Sequence, residues 1–67
     1  MAQGTVKWFD VESGVGVISS DDGGTEVVVH QSEIDGGGRQ SLRAHQRVTF
    51  TVDDGSAGTR AVGVYTP

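Results

Sequence analysis

Gly14-Val15-Gly16-Val17-Ile18 and Val27-Val28-Val29-His30, with Asp21-Asp22-Gly23-Gly24 between them, decide the fold. Each flank is a short apolar run rich in β-branched residues, which fit a pleated surface and lose rotamer freedom in a helix. The Asp-Gly tract supplies the residues that tight reversals use. Together they predict a β-hairpin. Strand side chains alternate between two faces. With Ile18, Val27 and Val29 inward, Val15, Val17, Val28 and His30 form an outward patch. A core explains the first set; the second needs another reason, and function is sought there.

Working outward, Thr5-Val6-Lys7-Trp8-Phe9 alternates and predicts a first strand, with a turn from Asp10 to Gly14 into the second, Val15 to Ser19. The third runs from Glu26 to His30. Gln31-Ser32-Glu33-Ile34 reads as one helical turn, Asp35-Gly36-Gly37-Gly38 as a flexible loop, and Ser41-Leu42 as the start of a short segment. Arg47-Val48-Thr49-Phe50-Thr51-Val52 alternates strictly, which predicts a strand with Val48, Phe50 and Val52 in the core. A turn from Asp53 to Gly58 leads to a last strand, Arg60 to Tyr65. No stretch sustains a period of 3.6, so no long helix is expected. Five short strands joined by Gly- and Asp-rich turns predict a small all-β barrel or sandwich, one domain over residues 1–67.

Composition narrows the function. Five basic residues stand against nine acidic, a net charge of −4, where nucleic-acid binders are usually basic. Net charge governs solubility and long-range steering more than contact, and Lys7, Arg39 and Arg43 can still line one side. There is no cysteine, which fits a reducing compartment. Met1-Ala2-Gln3-Gly4 has neither the charged nor the apolar stretch of a secretory leader, and no apolar run approaches the ~20 residues of a membrane span. A cytoplasmic protein without membrane attachment is expected. Gly14-Val15-Gly16 lacks the third glycine and the helix of a dinucleotide fingerprint. His30 and His45 have no further ligand to make a metal site. No nucleophile motif is present. Neither an enzyme, a cofactor nor a small-molecule substrate is expected.

Lys7-Trp8-Phe9-Asp10, then Gly14-Val15-Gly16-Val17-Ile18, then Val27-Val28-Val29-His30-Gln31-Ser32-Glu33-Ile34 resembles the bacterial cold-shock protein family, whose pattern is K-W-F-N, K-G-F-G-F-I and V-F-V-H-F-S-x-I. The likeness runs from Gln3 to about Val64, with one extra residue in the Gly23-Gly24 turn. It implies a five-stranded antiparallel OB-fold barrel. It also implies sequence-tolerant binding of single-stranded RNA or DNA, in an RNA-chaperone or transcription-antitermination role. The resemblance places Lys7, Trp8, Phe9, Val15, Val17, Val28, His30 and Arg39 at the nucleic-acid-binding positions.

The departures are chemical. In the family the second and third strands carry the RNP1 and RNP2 motifs, whose outward rings stack on bases; here those positions hold Val15, Val17 and Val28, and two further aromatic positions hold Gln31 and Arg39. Ser13 replaces a basic residue and Asp10 an asparagine. Each base–ring stack is worth about 1–3 kcal/mol. Even the low end of five losses, roughly 5 kcal/mol, exceeds three decades of affinity. The losses do not simply add, since Val keeps some apolar contact and the Arg39 guanidinium can stack on a base. Weak binding centred on Trp8, Phe9 and His30 is expected, with Lys7 and Arg39 near phosphates. The alternative is a protein–protein or dimerising module that uses the valine cluster as an apolar interface.

Two backbone expectations follow. Regular alternation from Val6 would bury Trp8, whereas the resemblance exposes it, which needs a bend or bulge. The family also has Gly in place of His45, so a retained turn would hold His45 at positive φ, a conformation that histidine tolerates better than most residues.

Overall fold

The computed structural model describes residues 2–35, 41–55 and 58–66. Their strands are β1 (Ala2–Asp10), β2 (Val15–Ser20), β3 (Glu26–His30), β4 (Ile34–Asp35), β5 (Arg47–Gly55) and β6 (Gly58–Tyr65), with a 3-10 turn at Gln31–Glu33. The five long strands are those the sequence predicts; β4 adds two residues at the edge. The order is β3-β2-β1-β5-β6-β4, and β3 also pairs with β6, which closes the barrel. The meander pairs β1–β2, β2–β3, β1–β5 and β5–β6 are antiparallel. The closing β3–β6 pair and the β4–β6 pair are parallel. Closure leaves fewer strand edges open, which matters in a chain this small.

The core is Val6, Ile18, Val27, Val29, Ile34, Leu42, Val48, Phe50, Ala61 and Val64, with Phe9 and Ala2 packed against it. Ile18, Val27 and Val29 are inward as the hairpin pattern requires. Leu42 reaches the core from a stretch without regular structure. The expected burial of Val52 is corrected: it is 41% exposed. Among the described residues the β1–β5 pairing starts at Ala2 opposite Phe50, and Val52 lies past that end of the ladder. From Thr51 to Gly55 the partner of β5 among the described residues is β6, with Gly55 opposite Gly58. The strands therefore run further into the expected Asp53–Gly58 turn than the sequence suggested.

Two local devices fix the frame. Arg43 to Gln46 is a turn closed by the Gln46 N–H donating to the Arg43 carbonyl (3.2 Å), with His45 at φ 72. Ala44 is not at positive φ, so the turn is type II, whose third residue needs the left-handed region. It is tied to β1 at Val6, whose N–H donates to Gln46 O (2.8 Å) and whose carbonyl accepts from His45 N–H (2.7 Å). On the outside, Arg47 donates through both terminal nitrogens to the Asp21 carboxylate (2.8 and 2.6 Å) and also to Thr5 Oγ1 (3.0 Å). The hydrogen bond from the Arg47 guanidinium holds the Asp21 carboxyl below its usual range, and the same hydrogen bond to Asp21 raises Arg47 in turn.

Candidate functional site

The pairing registers align outward side chains in rows across the barrel. The middle row runs Trp8–Val17–Val28–Arg60–Asp53, crossing β1, β2, β3, β6 and β5. The row above it is Asp10–Val15–His30, and the row below is Arg47–Thr5–Ser19–Glu26. One face therefore carries an apolar patch of Trp8, Val15, Val17 and Val28 with polar and charged side chains around it.

Trp8 joins that patch because β1 is irregular. Val6 stands opposite Ile18 and Trp8 opposite Val17, so Lys7 is an extra residue in the ladder. A bulge of this kind reverses the alternation, and the indole is 49% exposed. Val15 and Val17 are half-buried, Val28 is 47% exposed and His30 is exposed. Phe9 turns toward the core and lies over Gly16. A Cβ on Gly16 would fall 2.6 Å from the Phe9 ring and 2.6 Å from the Trp8 carbonyl oxygen. Only glycine lets β2 approach the ring so closely.

Lys7 sits on the bulge and forms an exposed ion pair with Glu26 on β3. Arg47 is engaged by Asp21 and Arg60 by Asp53. A phosphate at any of these three would share the cation with a carboxylate already beside it. Arg39 lies outside the described residues.

His30 caps the 3-10 turn. The Ser32 N–H donates to His30 Nδ1 (3.3 Å), and the Ser32 hydroxyl lies 3.0 Å from the same nitrogen. A neutral imidazole whose Nδ1 accepts carries its proton on Nε2, so the outward nitrogen is a donor. Gln31 packs its side chain over Gly14 (φ 73), where an added Cβ would lie 2.7 Å from the amide carbon. The Gln31 N–H donates to the Gly14 carbonyl (2.8 Å), locking the start of β2 to the end of β3.

Trp8, Val15, Val17, Val28 and His30 thus share one face, Lys7 flanks it, and Phe9 supports it from beneath. Arg60 and Glu33 were not singled out from the sequence. Arg60 is Val28's lateral neighbour through the parallel β3–β6 pair. An open depression of about 380 Å³ beside that pair is lined by Val28, His30, Ser32, Glu33, Arg60 and Ala61. Alternation places Arg60 outward on its own strand, but nothing in a single sequence announces a parallel seam between strands this far apart.

A family model described as the "'Cold-shock' DNA-binding domain" matches residues 2–67. The chain is 50% identical over 64 residues to a cold shock protein of Arthrobacter globiformis, covering 96% of each. It is 47% identical over 66 residues to a probable cold shock protein A of Mycolicibacterium smegmatis, covering 98% of each. It is 45% identical over 64 residues to a major cold shock protein of Micrococcus luteus, covering 96% of each. A solved structure described as Drosophila Unr CSD456 matches 98% of this chain with a TM-score of 0.81 at 20% identity, a likeness of fold; this chain spans 26% of that one.

Proposed function

This chain belongs to the cold-shock DNA-binding domain family, and on that premise we propose that it holds unpaired RNA or DNA on the outer face of β1, β2 and β3, more weakly than members with a full set of rings. The observation that carries the reading is the unbroken Trp8–Val17–Val28 row. It presents one indole and two short aliphatic side chains where bases would lie. An indole stacks on any base because every base has a π-face. Valine offers apolar contact without that face. His30 contributes an imidazole ring and the Nε2 donor, and Lys7 a cation for which Glu26 competes.

Contact of this kind is sequence-tolerant and readily reversed, which suits an RNA chaperone or antitermination role in the cytoplasm. It involves binding and no catalysis. The test is a titration of the intact protein with oligothymidine followed by Trp8 fluorescence and by amide chemical shifts. Quenching, with shifts at Trp8, Val15, Val17, Val28 and His30, supports the reading. Shifts confined to another part of the barrel overturn the placement. No response at millimolar oligonucleotide, with a dimer by sedimentation, favours the valine face as a contact between two copies instead.

A further inference from the structure

We infer that the depression at the β3–β6 seam is a base subsite that selects guanine, with Glu33 reading the base edge and Arg60 covering its face; this rests on the single-strand reading above. Three observations converge on it. First, the depression continues the proposed face: Val28 belongs to both, and Arg60 follows Val28 in the Trp8–Val17–Val28 row. A strand lying along that row is led across the seam. Second, about 380 Å³ falls within the roughly 300–1,000 Å³ typical of small-ligand pockets. Val28 and Ala61 provide apolar walls for a planar ring.

Third, the polar groups have fixed and complementary roles. Arg60 donates from Nε to Asp53 Oδ2 at 3.1 Å, which orients the guanidinium plane. Glu33 Oε1 accepts from the Gly63 N–H at 3.4 Å, which anchors the carboxylate. The two opposite charges line one depression, yet each is tied to a different neighbour. His30 Nε2 adds a donor, because Nδ1 is engaged by Ser32. A carboxylate only accepts. Among the common bases of RNA and DNA, only guanine puts two adjacent N–H donors, N1–H and the 2-amino group, on its Watson–Crick edge. Thymine and uracil flank one N–H with two carbonyl oxygens, which a carboxylate repels. Cytosine and adenine offer an amino group beside a bare ring nitrogen. Guanine O6, next to N1–H on the same edge, in turn accepts from a donor such as His30 Nε2. Guanidinium planes also stack on unpaired bases.

The experiment is a competition binding measurement on the intact protein. It compares hexathymidine, the same oligomer with one central guanine, and the same oligomer with inosine at that position. Inosine keeps N1–H and O6 but lacks the 2-amino group. The expected result is about tenfold tighter binding of the guanine oligomer than of hexathymidine, with inosine between them. In Glu33→Gln, shown to be folded by its circular dichroism and melting, the guanine and thymine oligomers should bind alike. Equal binding of all three oligomers by the unaltered protein overturns the subsite and leaves the single-strand reading standing. A guanine preference that inosine fully retains, or that survives Glu33→Gln, also overturns it. Failure of every oligomer to bind overturns both.

Discussion

Trp8 stands opposite Val17, whereas Val6, two residues earlier, stands opposite Ile18 in the core. One extra residue, Lys7, separates the two registers and turns outward an indole that regular alternation would bury. The same residue carries the cation nearest that indole in sequence. A single bulge therefore creates the aromatic part of the face and sets a charge beside it.

Restoring rings to the middle row should restore affinity. Val17→Phe and Val28→Phe each place a π-face beside Trp8's row without altering the inward set. Each is expected to tighten oligothymidine binding about tenfold, within the ~1–3 kcal/mol of a base stack. Fluorescence titration of the single and double variants reads the gain directly.

The Lys7–Glu26 pair should hold back phosphate binding. Glu26→Gln releases Lys7 and removes a like charge from the strand's path. For two or three phosphate contacts, log K against log salt should have a slope of about −1.4 to −2.1 in the unaltered protein, and Glu26→Gln should steepen it by up to ~0.7. Titrations at several salt concentrations test this, and a flat plot for both proteins would mean that no phosphate is engaged.

His45→Gly should raise the melting temperature. The left-handed conformation at φ 72 costs a non-glycine residue about 1–2 kcal/mol, and glycine gives back roughly 0.5–1 kcal/mol through a freer unfolded chain. The net gain is up to about 1.5 kcal/mol, and each 1 kcal/mol corresponds to ~4–8 °C for a domain of this size. Calorimetry decides it.

Asp21 should link stability to acid. Its folded carboxyl is depressed by Arg47, so its contribution is fully present above the unfolded value of about 3.9 and disappears as pH falls through the lower folded value. Asp21→Asn is expected to melt below the unaltered protein at neutral pH, with the two curves converging in strong acid. Both partners are exposed, so high salt should also shrink the difference.

Gly16→Ala should disturb the site through its support. The new methyl falls 2.6 Å from the Phe9 ring and from backbone that cannot yield cheaply. Overpacking of this kind costs about 1–3 kcal/mol. A lowered melting temperature with a changed Trp8 emission spectrum is the expected result.

Local pattern explains how much of this was legible. The β2–β3 hairpin was readable residue by residue, because turn chemistry and alternation agree from Val15 to His30. The positive φ at His45 was foreseeable from a family turn that carries glycine there. Trp8 was ambiguous, since a bulge leaves no mark in the periodicity. Val52 was misplaced because alternation gives the side of a strand but not where the neighbouring strand begins. Arg60 was missed for a related reason: its proximity to His30 depends on a closing pair that only the folded barrel creates. Glu33 is close to His30 in the chain, but what brings it to the depression is its contact with Gly63 on β6.

That closing pair is short. Val28 with Arg60 and Val29 with Ala61 are the registered partners joining β3 to β6, and they bring together segments some thirty residues apart. The hairpins on either side involve nearby residues and carry a smaller loop-closure cost, so they can assemble before the ring is complete. Zipping the seam is then a late event on the folding route. A cavity cut there, as by Ala61→Gly, should shorten the lifetime of the native state while leaving its rate of formation nearly unchanged.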